Sequence, residues 1–459
     1  MKKFQFQVQV NKKNLKLTAE QLTFYKQSKI IEATDQKSDY YYLIFYKDVF
    51  INGTKANKIR LNSHIHRALL SGIHVNGSHP LTMKLINQQK SLNFIQFNPL
   101  FKQIQKHYSK LETILIFTYF DSFTKSDSIT KLIKSSFYNY RREGQLFAAY
   151  QLLRVYLDYD QNNSFVHDMI HHMQFQQHHI IYQEIENLYE RDPLNTELIC
   201  FNDRHDPDNL SILFQLYRSQ NRLLDALALR IELLRHQFTL ENFAGIEALI
   251  TDFNQEEQLE ILQELYQSTR NPIIEEKLLT PLLASNDVNA LIEFMLTTVY
   301  QPTSEQLQSI IDHLPGADKH VLASYFKKSN KRLLALSNHD AKTLNKLITP
   351  FVSAFLEEIP LTSIIEWFTP FHEAGIHLPI EQKLLKIKKL SNDPDQQFAL
   401  GELYFQFQQF EKSIDCFKWE MELSPDDPKP VTYLTKIYQK IGNHVEANTY
   451  QQLLIQMTK

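Results

Sequence analysis

Glycine is scarce in this chain, 9 residues of 459, against about 7% in an average protein. Such a composition favours helix over glycine-rich loops. It also removes nucleotide cradles, because neither GxGxxG nor GxxxxGK[ST] occurs and both need glycine for backbone N–H groups to approach phosphate. Cysteine is rarer still. Cys200 and Cys416 lie far apart in no CxxC pair, which argues against a disulfide framework or a cysteine zinc site and fits a reducing cytoplasm. The longest apolar runs, YYYLIFY (40–46) and ILIFTYF (114–120), fall short of the ~20 residues of a membrane helix, so no membrane insertion is expected. Met1-Lys2-Lys3 leads into FQFQVQV rather than an apolar core, unlike an ordinary secretion signal. No GxSxG is present, and acidic pairs such as Glu256/Glu257 sit in helix-surface contexts. The expectation is a soluble, cytoplasmic, non-enzymatic protein with no cofactor.

Charge is present but unevenly placed. Residues 1–150 carry 23 Lys/Arg and 9 Asp/Glu, the remainder 26 and 43, so the two parts stand at +14 and −17. A basic half can face nucleic acid or an acidic partner, or two oppositely charged parts can attract each other.

Residues 1–97 read as a small basic β-rich or α+β domain. Phe4, Phe6, Val8 and Val10 alternate with glutamines at the period of a half-buried strand. Asn52-Gly53 and Asn76-Gly77 suit tight hairpin turns, and Ser63 is placed to cap a short helix over 63–73. From about Asn98 the pattern is helical to Lys459. Turns are expected at 191–195, 205–209, 270–272 and 314–316, and at Pro350, Pro360, Pro370 and Pro379. Thr303 and Gln306 have capping-box spacing. Many helices of 10 to 18 residues joined by short turns must stack on neighbours.

Asp393-Pro394 and Asp427-Pro428 are 34 residues apart. With Pro394 as position 1, Leu400, Gly401, Tyr404, Ser413, Phe417 and Pro425 occupy positions 7, 8, 11, 20, 24 and 32, and Leu434, Tyr438 and Ala447 repeat the pattern one unit on. Small Gly401 lets the second helix come close. These residues resemble the tetratricopeptide repeat, in a cytosolic protein of bacterial type. Similar hairpins open at Pro207, with Leu213, Tyr217 and Ala226, and near 130, with Tyr140, Gly144, Ala149 and Leu153. A weaker one runs from Asn271 to Pro302, with Ala290 and Phe294 in its second helix. The implied fold is mostly α: an α-solenoid of tetratricopeptide-like hairpins behind the β-rich domain. Its segments are 98–302 with degenerate repeats, 303–392 with irregular hairpins, and 393–459 with two well-matched units.

The resemblance implies a concave face that binds peptides or protein segments. Its candidate residues are Asp395, Phe398, Glu402 and Phe405 in the first unit and Lys429, Thr432, Lys436 and Gln439 in the second. Where family members clamp a C-terminal carboxylate with lysine and asparagine, this chain has Phe398, Glu402, Thr432 and Lys436, whereas Phe398 and Phe405 suit aromatic anchors, or else pack on a neighbouring helix. His167, His171, His172, His178 and His179 cluster in one segment, but without HExxH or an evident third ligand no metal site is assigned. KLIKSSFYNYRR (131–142) mixes cations with aromatics as nucleic-acid surfaces do. The expected function is therefore a scaffold or adaptor binding protein or peptide segments. The alternative is a regulator whose basic N-terminal domain contacts nucleic acid while the helical array senses a peptide or protein.

Overall fold

The computed structural model describes residues 3–285 and 287–457. The chain is mostly α with a small β-rich N-terminal domain, and it divides into two compact units, Met1–Asn271 and Pro272–Lys459.

In the first unit, strands β1 (Gln5–Val10), β2 (Lys13–Tyr25), β3 (Ser28–Thr34), β4 (Tyr40–Tyr46), β5 (Val49–Lys55), β6 (Ile73–Asn76) and β7 (Asn93–Phe94) form one sheet. Its order is β5-β4-β3-β2-β1-β7, with β6 paired to the far half of β2. The alternation in β1 holds, since Phe6 and Val8 are buried between exposed glutamines. Ser63 caps the helix His64–Ser71 through the His66 N–H, as its position suggests.

The two Asn-Gly pairs are not hairpin turns. Asn52-Gly53 lies inside β5, paired with Ile44 and Leu43. A Cβ on Gly53 would stand 2.1 Å from Phe94 Cζ, so glycine is there to admit the Phe94 ring. Asn52 is buried; its amide donates to the Ile95 carbonyl at 2.8 Å and its oxygen accepts the Ile95 N–H at 2.9 Å. Together they bring β7 against β5 and nearly close the sheet into a barrel. Gly77 follows β6 where a Cβ would lie 2.2 Å from the Ala19 carbonyl oxygen. The sharp reversals fall instead at Asn11-Lys12, where both residues have positive φ, and at Lys26 and Lys47, also with positive φ. Lysine in that region costs about 1–2 kcal/mol, which a charge–charge contact can offset.

The helices of the first unit pack along this sheet. Four helical hairpins share one turn: Ser126–Arg142 with Leu146–Tyr159, and Pro207–Ser219 with Leu223–His236, in the first unit; Gln397–Gln406 with Phe410–Leu423, and Pro428–Lys440 with His444–Met457, in the second. In each, a tyrosine carbonyl (Tyr140, Tyr217, Tyr404, Tyr438) accepts the N–H of the fifth residue on (Gln145, Arg222, Gln409, Asn443). The residue before that donor (Gly144, Asn221, Gln408, Gly442) has positive φ. These are the hairpins whose small and aromatic residues match in sequence.

In the second unit Thr303 and Gln306 make the expected capping box. Pro360 caps a helix and Pro370 and Pro379 begin helices, but Pro350 marks no turn. It lies inside the helix Ala341–Glu358. A helix-interior proline costs about 3 kcal/mol. Leu344, Leu347, Ile348, Phe351, Val352 and Phe355 on the same helix are all fully buried, at about 1.5–3 kcal/mol each, so burial wins. Residues 303–392 form helices of 5 to 18 residues with no common length.

Gly401 acts as its position implies. A Cβ there would lie 2.9 Å from Phe417 Cε1 and 3.1 Å from Cys416 Cβ, and the Ser413 hydroxyl donates to the Gly401 carbonyl at 2.8 Å. Gly401→Leu should destabilise the second unit by about 1–3 kcal/mol through overpacking. Both tryptophans, Trp367 and Trp419, lie in this unit, so the denaturant midpoint of tryptophan fluorescence should fall while a first-unit variant leaves it in place.

Candidate protein-binding surfaces

The eight residues marked in sequence separate into a packed group and an exposed group. Phe398 is half-buried with its ring 5.6 Å from Phe417 and 5.8 Å from Tyr433, and Phe405 stands 5.4 Å from Tyr433. The Tyr433 hydroxyl donates to Glu402 at 2.8 Å. Tyr433 thus gathers both phenylalanines and the glutamate into the seam between the two hairpins. Thr432 turns its hydroxyl to the Pro428 carbonyl at 2.9 Å. Asp395, Lys429, Lys436 and Gln439 are exposed. The solvent-facing part of the row is therefore polar, with Lys436 lying 5.5 Å from the Tyr433 ring centroid.

Sequence gives no sign of a second surface, inside the first unit. The β2–β3 turn, Lys26-Gln27, enters the helical hairpins and is held there by charge. Lys26 meets Asp158 at 2.5 Å, and Lys29 meets Asp225 at 2.5 Å and Asp48 at 3.0 Å. Arg222, the residue that closes the Tyr217 hairpin turn, is fully buried over the Tyr217 ring. Its guanidinium reaches Glu197 at 2.5 Å, both oxygens of Asp225 at 3.0 Å and the Lys26 carbonyl at 3.3 Å. Gln27 donates to the Leu194 carbonyl at 2.8 Å, and Ser28 Oγ lies 2.8 Å from His64 Nε2. Burial opposes the charge on Asp225, but Arg222 and then Lys29 outweigh it and hold its carboxyl below the ordinary range. His64 is pushed well below its ordinary value by burial, with Arg67 and Lys26 adding to the effect.

Beside this turn lies a cleft of about 360 Å³, lined in part by Gln27, Lys47, Glu112, Tyr140, Glu197 and Gln220. Burial, reinforced by Arg222, lowers the Lys47 ammonium. Tyr46 donates to Glu112 across the same gap at 2.9 Å. The lining sets one amine, carboxylates and side-chain amides among apolar residues such as Leu111, Ala148 and Leu194.

The histidine segment is broken into a helix over Ser164–Ile170, a 3-10 turn and a helix over Gln176–Ile181. His167 Nε2 lies 2.7 Å from the Gln161 carbonyl, His171 bonds the His167 carbonyl, the His172 ring accepts the Gln174 N–H, and His179 lies 3.1 Å from the Tyr150 hydroxyl. His178 packs near the Phe147 and Tyr150 rings. In the basic segment, Phe137 and Tyr140 are core residues, Tyr138 is half-exposed against Phe165, and Arg141 bonds Gln174.

Removing Arg222 would leave Glu197 and Asp225 buried and uncompensated, a change that costs about 3–5 kcal/mol. Arg222→Ala should lower the far-ultraviolet circular dichroism midpoint of the first unit and leave the tryptophan transition unmoved. Because the Asp225 carboxyl is depressed in the fold, its contribution is present above the unfolded value of about 3.9 and is lost as pH falls through the lower folded value. Acid titration of Asp225→Asn should show a flatter stability loss below about pH 4 than the parent chain; an unchanged slope would contradict this.

Compared with known proteins, the chain matches no family model and no curated protein, so the likeness to tetratricopeptide hairpins rests on its own residues and turns.

Proposed function

We propose that this chain is a non-enzymatic scaffold or adaptor that binds protein or peptide segments through its helical hairpins. The observation that carries this reading is the docked β2–β3 turn. Helical hairpins of this chain hold an extended, reversing segment by side-chain contacts to its backbone, as Arg222 to the Lys26 carbonyl, and by ion pairs to its side chains. The same combination, main-chain capture plus charge selection, recognises a peptide from another molecule. In the second unit the hairpins of the same turn type offer Lys429, Lys436 and Gln439 to solvent, which favours a partner segment bearing carboxylates or backbone carbonyls. Within the basic half, Lys26 and Lys29 are engaged by Asp158 and Asp225 and are not free to meet phosphate. Cross-linking in native lysate should recover a reproducible protein partner of the full chain. Lys436→Ala combined with Gln439→Ala, both exposed positions, should weaken its capture severalfold without moving the tryptophan unfolding midpoint. Recovery of no partner, or equal capture by the double variant, would contradict the reading.

A further inference from the structure

We infer that His372, His377 and Glu381 form a binding site for a divalent transition-metal ion of the zinc class. The three side chains each offer one ligand atom, and these atoms lie within 4.8 Å of one another. His372 Nε2 already stands 2.8 Å from the Glu381 carboxylate, and the two imidazole rings are 5.4 Å apart. Tetrahedral ligands about 2.0–2.2 Å from zinc are separated by roughly 3.3 Å, so the His–Glu pair needs to open slightly and the exposed His377 ring to swing inward by no more than roughly 1.5 Å.

The backbone prepares this arrangement. The short helix Thr369–Glu373 is followed by Gly375, whose φ is +75°, with the Gly375 N–H on the His372 carbonyl at 2.8 Å and the Ile376 N–H on the Phe371 carbonyl at 2.9 Å. Buried Ile376 and Leu378 pin the chain on either side of His377, and Pro379 then starts the next helix, Pro379–Leu390. The reversal returns His377 beside His372 and puts Glu381 in the first turn of that helix. Glu381 is only 8% exposed, and a buried carboxylate calls for a cation. Two imidazoles and one carboxylate favour zinc and its neighbours over magnesium or calcium, which take all-oxygen shells. Three protein ligands leave the fourth position for water.

A second group, His205, Glu232 and His236, also brings its ligand atoms within 4.8 Å of one another, but there Arg204 holds both Glu232 oxygens at 2.6 and 2.7 Å. A guanidinium on the carboxylate repels a metal ion and occupies its ligand atoms, so this cluster serves as the internal control.

The test is calorimetric titration of the metal-free full chain with zinc, paralleled by cobalt(II) absorption in the visible. The parent chain should bind zinc, and His377→Ala should lose affinity by more than about tenfold, since loss of even an outer-shell partner costs 10–100-fold. His377 is exposed, so that variant should keep the parent circular dichroism spectrum, and Glu381→Gln provides a second ligand deletion. His236→Ala should bind as the parent does. No binding by the parent chain, equal affinity in His377→Ala, or loss caused by His236→Ala alone would overturn the site.

Discussion

The buried guanidinium of Arg222 is the point on which the first unit is organised. It closes a helical turn through its N–H, balances Glu197 and Asp225, and takes the Lys26 carbonyl with the far end of the same side chain. Arginine suits this position because its planar fork offers several donors in fixed directions and stays charged in low dielectric. A lysine there would reach one carboxylate and abandon the other. The sheet and the helices are consequently one folded body up to Asn271, despite having the look of separate domains in composition.

Periodic features of the fold were legible in the sequence, and contacts between distant segments were not. The strand alternation at Phe6 and Val8, the Ser63 and Thr303 caps and the Gly401–Ser413 approach all follow from local spacing, and all are present. Asn52-Gly53 misled because its turn chemistry is also what a strand needs where a Phe94 ring must approach and a neighbouring peptide must be clamped. Pro350 reads as a turn by propensity alone, because the burial that holds its helix together comes from distant segments. The Arg222 cluster left no local mark, since a lone arginine after Asn221 reads as an exposed turn residue.

The candidate row in the second unit illustrates the same limit. Register marks one face of the first helices, yet register does not know which of its side chains the next hairpin covers. Tyr433, absent from the row, decides that by drawing in Phe398, Phe405 and Glu402. What remains outside is polar, so under the proposed reading a partner would be selected by hydrogen bonding and charge more than by apolar burial. In the first unit the same kind of hairpin already holds a segment of its own chain, with lysine at a strained turn position compensated by Asp158.

The contact between Lys29 and Asp225 spans 196 residues of sequence, which has a bearing on how the molecule is made. At about 5–20 residues per second, the ribosome needs roughly 10 to 40 s after Lys29 emerges to supply the buried one of its two carboxylate partners. Until then Lys29 has only the partly exposed Asp48 and Lys26 lacks Asp158, so the β-rich segment cannot settle into its final packing. The N-terminal strands are synthesised first but completed late, waiting on a helix from the middle of the chain.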